Sequence, residues 1–137
     1  MRTLAFTTLL VVALTALVSS QSPSEFLVVY YPDAAVAARI EDGILELQRD
    51  SFRFRPNSGQ PAWVVDLARV EAIIVEPFVG PFRTVTSVVI ESTEDNRRVR
   101  RRIAAVDDRS LNERAMLAGM MRLRVEQFRA ARAAVRQ

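Results

Sequence analysis

Residues 43–56 read GILELQRDSFRFRP, and this stretch decides the fold class. Ser51 to Arg55 alternates strictly, so on an extended chain Phe52 and Phe54 share one face while Arg53 and Arg55 share the other. Wound as a helix, the same residues would scatter around the axis. Ile44, Leu45 and Leu47 form the strand before it, and Arg49-Asp50 marks the turn between. The stretch is therefore a hairpin with one apolar face, the beginning of a sheet that needs a cover.

Further strands follow downstream. Pro56 to Pro61 is a loop of turn-forming residues. Ala62 to Asp66 and Val70 to Glu76 are strands joined by a short connection, Leu67 to Arg69. Glu76 to Arg83, with two Pro and one Gly, reads as an interruption. Thr84 to Ser92 and Arg97 to Val106 then form a hairpin across Thr93-Glu94-Asp95-Asn96. Upstream, Phe26 to Tyr31 is β-branched and aromatic, a largely buried strand stopped by Pro32. Two readings stand for residues 34–41. Asp33 caps a short helix that Gly43 ends, or a further strand runs to a tight hairpin at Asp42-Gly43.

A helix closes the chain. Ser110-Leu111-Asn112-Glu113 fits a capping box, and Leu117, Met121, Val125, Phe128 and Ala131 or Val135 recur at steps of three and four as one apolar stripe. Carried to Gln137, the helix is about 42 Å long, against a domain radius of gyration near ~13 Å. Its last turns are expected to overhang.

The N-terminus carries an address. Arg2 precedes the uncharged stretch Leu4 to Val18, which small polar residues follow. About 15 apolar residues are too few to span a bilayer, and the order is that of a secretory signal peptide, residues 1–20. Residues 25–137 form a single domain. The expected location is periplasmic or extracellular, or membrane-anchored if the leader stays uncleaved.

The chain has no Cys and no His. Disulfides and thiolate metal sites are thereby excluded, and the commonest general base and metal ligand are missing. All 19 basic residues are Arg, so lysine Schiff-base chemistry is excluded as well. Residues 21–96 carry 6 Arg against 12 acids, and residues 97–137 carry 12 Arg against 4 acids. The domain is charge-polarised along its sequence.

Seven strands and then one amphipathic helix is the order of the pleckstrin-homology-like barrel. Gly43 to Leu47, Asp50 to Pro56 and Val64 to Ile73 resemble the hairpin, strand, turn and strand of bacterial pleckstrin-homology-like and GRAM-like domains. The resemblance covers roughly residues 43–128. It implies an α+β fold, a seven-stranded antiparallel barrel with a C-terminal helix capping one open end, and it supplies no universal ligand residues.

Two surface features are candidate sites. Arg97, Arg98, Arg100, Arg101 and Arg102 place five guanidiniums in six positions, with Arg98, Arg100 and Arg102 on one strand face and Arg97 and Arg101 on the other. They are either an anion site or a solvated hairpin end whose charges resist sheet aggregation or pair with the acidic half. Phe78, Val79 and Phe82 form an apolar loop that either contacts a protein or folds back over the barrel mouth. The acid pairs Glu41-Asp42, Glu94-Asp95 and Asp107-Asp108 match no calcium loop, and Trp63 reads as core or groove wall. No metal ligand set and no cofactor is expected.

These features point to an exported, non-enzymatic interaction or scaffold module. Its contact would be a protein partner, met through the loop around Phe78 or the overhanging helix. The alternative is binding of an anionic membrane surface or other polyanion through Arg97 to Arg102. Nucleic acid is not expected, because no stacking aromatics interleave the arginines.

Overall fold

The computed structural model describes residues 25–32, 40–60, 62–81, 83–106 and 111–136, and the side chains of all these except 111–114. The leader, most of the 34–41 segment, Phe82 and the Ser110 of the capping box lie outside the described residues. The described residues form seven strands and a helix: β1 (Glu25–Tyr31), β2 (Glu41–Leu47), β3 (Ser51–Pro56), β4 (Trp63–Asp66), β5 (Val70–Val79), β6 (Thr84–Glu94), β7 (Arg97–Ala105) and α1 (Leu111–Val135). A 3₁₀ turn, Leu67–Arg69, joins β4 to β5. The strands form one antiparallel sheet in the order β4-β3-β2-β1-β7-β6-β5.

The alternation read from the sequence sets the core. Leu45 faces Phe54, Leu47 faces Phe52, and Phe52 faces Val65 across successive ladders. Val28, Val88, Ile90 and Ile103 continue this inner face, and Leu117, Ala118, Met121 and Val125 of α1 seal it. The stripe on α1 fades beyond that point. Phe128 is half-buried against the core, Ala131 is exposed, and Val135 is 87% exposed. The helix therefore overhangs the sheet.

The expected barrel is not closed. No ladder joins β4 to β5. β4 is only four residues long before the chain turns at Leu67, and α1 lies along β5 instead of a strand. There the Arg122 and Arg129 guanidiniums donate to the Ile73 and Val70 carbonyls at 3.2 and 3.0 Å. An exposed strand edge invites pairing with another chain, and the helix blunts this one.

Two local readings are corrected. Asp42-Gly43 is neither a helix stop nor a hairpin, because Gly43 sits within β2, opposite Val28 on one side and Pro56 on the other. A Cβ there would lie 2.3 Å from the Arg55 carbonyl oxygen and 2.6 Å from the Phe54 ring. Glycine is present to admit that ring. Likewise β5 does not stop at Glu76 but runs through Pro77, paired with Thr86, to Val79. Proline lacks an amide to donate, a loss that an edge strand with one neighbour tolerates.

The β6–β7 hairpin is tighter than expected, since Glu94 already pairs with Arg97. Asp95 and Asn96 have φ of 51° and 62°. Positive φ at both central residues is the type I′ signature, whose twist matches that of paired strands. This turn sets the register of the arginine strand.

Candidate functional site

The hairpin register divides the arginines as strand alternation requires. On the outer face, Arg98 stands opposite Thr93, Arg100 opposite Glu91, and Arg102 opposite Val89. Arg98 reaches Glu71 at 3.6 Å. Arg100 pairs with Glu91 at 3.2 Å and with Glu76 at 3.5 Å. Arg102 pairs with Glu76 at 2.9 Å and donates to the Ser87 hydroxyl at 2.8 Å, while that hydroxyl donates to the Glu76 carbonyl. The Arg102 guanidinium also lies over the Phe78 ring, 4.3 Å from its centroid.

The inner face carries the other two. Arg101 holds both carboxylate oxygens of Glu94, at 2.5 and 3.2 Å, and lies 5.2 Å from the centroid of Trp63. Arg97 is exposed and has no carboxylate partner among the described residues. Four of the five guanidiniums thus meet acids from β5 and β6, the acidic part of the chain. No single motif marks these partners. Glu71, Glu76, Glu91 and Glu94 become neighbours of the arginines only through strand order.

Hydrogen bonding to Arg101 holds the Glu94 carboxyl below its ordinary value near 4.5; partial burial opposes this and the Ser92 hydroxyl reinforces it. A carboxyl lowered in the folded state binds fewer protons than in the unfolded chain, so its stabilisation is present above the ordinary value and fades as pH falls through the lowered one. Titrating unfolding of wild type and Glu94→Gln from pH ~6 to ~3 should show the wild-type advantage shrinking over the acidic end of that range. A constant gap would assign the Arg101 contact no ionic contribution.

Of the apolar candidates, Phe78 and Val79 are not brought together as one patch. Phe78 and Val79 are successive residues of β5 and point to opposite faces. The Phe78 ring is half-buried, between Arg102 and an edge contact with Tyr31 at 5.2 Å, whereas Val79 is 79% exposed. Phe82 falls outside the described residues. Trp63 packs with Tyr30 and Phe54, ring centroids 5.5 and 5.4 Å away, and its buried indole N–H has no partner. It is a wall of the core and not a free platform.

A further concavity lies elsewhere, at the overhang. A groove of about 780 Å³ runs between the second half of α1 and the β2–β3 turn. Phe128, Ala131 and Val135 supply its apolar side, and Arg124, Arg132 and Arg136 flank them, with Arg49 and Asp50 on the opposite bank. That bank is braced. The Gln48 amide donates to the Ser51 carbonyl, and the Leu67 amide donates to the Asp50 carbonyl, both at 2.9 Å. Among the described residues, Arg49, Arg124, Arg132 and Arg136 have no ion-pair partner.

Among the described residues no cluster of His, Cys, Asp or Glu could hold a metal ion, and no helix is long and apolar enough to cross a membrane. No family model matches the chain, and no curated protein is significantly similar to it.

Proposed function

We propose that this domain is an exported, non-enzymatic interaction module of pleckstrin-homology-like organisation that engages a protein through the overhang of α1. The observation that carries this is the apolar run Phe128, Ala131 and Val135, which continues the core stripe past the sheet from a half-buried Phe128 to an exposed Ala131 and Val135. An apolar helix face left in water costs about 25 cal/mol per Å² relative to a buried one. Seven antiparallel strands followed by one helix on the inner face support the pleckstrin-homology-like reading, with the β4–β5 gap as a departure from a closed barrel. The absence of His and Cys from the chain favours binding over catalysis.

The polyanion reading through Arg97 to Arg102 is the weaker one. Four of those five guanidiniums already have carboxylate partners, and an incoming anion would have to displace them. Exposed ion pairs contribute only about 0–1 kcal/mol each, but the displaced glutamates would still repel the anion.

Photocrosslinking in the producing cells tests the choice. With p-benzoylphenylalanine at position 131, a discrete protein adduct is expected, and the same probe at position 100 should give none. Adducts from position 100 alone would overturn the assignment in favour of the β7 face.

A further inference from the structure

On β7 four of the five arginines meet carboxylates, whereas among the described residues four arginines without an ion-pair partner gather around the groove. Between Ala115 and Val135, α1 carries four Arg and a single acid, Glu126, and Arg136 follows directly. Arg122 and Arg129 spend their guanidiniums on the β5 carbonyls. Arg124, Arg132 and Arg136, with Arg49 across the groove, have no ion-pair partner among the described residues and flank its apolar side, against Asp50 as the one carboxylate in the lining. Arg132 rests 5.7 Å from the Phe128 centroid, so charge and apolar contact are presented together.

We propose that this groove receives an acidic amphipathic helix of a partner protein, its apolar stripe on Phe128, Ala131 and Val135 and its flanking carboxylates on Arg49, Arg124, Arg132 and Arg136. This inference rests on the reading of α1 as the contact element and adds the chemistry of the partner. Steps of three and four between the apolar residues are the spacing that a facing helix fills. Charge selects the occupant. A second copy would bring the same arginines against each other, and like charges at e- and g-type positions disfavour pairing. A flat anionic membrane meets convex surfaces, whereas Phe128 lies half-buried between helix and turn.

The test uses the full chain and an 18-residue peptide with Leu and Ala along one helical stripe and Glu flanking it. A second peptide carries Lys in place of every Glu, and vesicles of phosphatidylglycerol and phosphatidylcholine are the membrane probe. The acidic peptide is expected to bind, with affinity falling as salt rises. Arg132→Glu and Arg124→Glu should each weaken it at least tenfold, while Arg97→Glu, at an exposed arginine outside the groove lining, should leave it unchanged. Charge reversal supplies the decisive arm: the Arg124→Glu/Arg132→Glu variant should gain binding to the Lys peptide.

These positions are exposed or half-exposed, and circular dichroism checks that each variant folds. Ala131→Asp gives a second route to the same loss. Equal binding of both peptides, no binding of either at millimolar concentration, retention on anionic vesicles alone, or groove-dependent self-association would each overturn the proposal. Crosslinking from position 131 does not depend on the partner's charge. A charged-peptide failure beside a persisting adduct would therefore reject the acidic helix and leave α1 as the contact element.

Discussion

Gly43→Val is expected to destabilise the domain by about 3 kcal/mol, the upper end of what overpacking a core usually costs. Strand preference argues the other way, because Val is among the best strand residues and Gly among the worst, over a range of about 1 kcal/mol. Packing decides the sign. The first carbon added to Gly43 would meet the Arg55 carbonyl oxygen at 2.3 Å and the Phe54 ring at 2.6 Å. Phe54 cannot yield, since it is 1% exposed and packed against Tyr30 and Trp63. Urea unfolding of the variant measures the effect, and an unchanged or raised midpoint would mean that the Phe54 ring does not cover Gly43.

The second large effect distinguishes the buried part of α1 from its overhang. Met121 is wholly buried in the core cluster, so Met121→Ala should cost about 3 kcal/mol, within the range for a fully enclosed side chain. The stripe read from sequence alone would assign Phe128→Ala a loss of about 3–5 kcal/mol. In the structure the Phe128 ring is half-buried and borders the groove, and the expected loss falls to about 1–2 kcal/mol, in proportion to the area removed from water. Equal losses at the two positions would show that α1 is sealed along its whole length, and the groove would then be no docking site.

The overhang was legible in the sequence because a helix's length follows from its rise per residue and a small domain's radius from its size. The groove was not. It depends on the Arg49-Asp50 turn coming to rest beside Phe128 and Val135, residues about eighty positions away. The arginine cluster shows the same division. Alternation alone assigns Arg98, Arg100 and Arg102 to one face, but their neutralisation needs Glu71 and Glu76 from a strand two ladders away.

The sequence by itself determined the seven strands and closing helix, the faces of Phe52 and Phe54, the β6–β7 turn region and the separation of acidic from basic halves. Each follows from local chemistry: a period of two or of three and four, polar turn residues between two apolar runs, and counts of charge. Tertiary structure alone decided that β2 passes through Gly43, that β5 passes through Pro77, that β4 and β5 stay unpaired, and which arginines keep an unneutralised charge. Those outcomes depend on neighbours. A glycine is required only where another strand's ring covers it, a proline is tolerated only on an edge, and a guanidinium is free only where no carboxylate is carried to it by the order of the sheet.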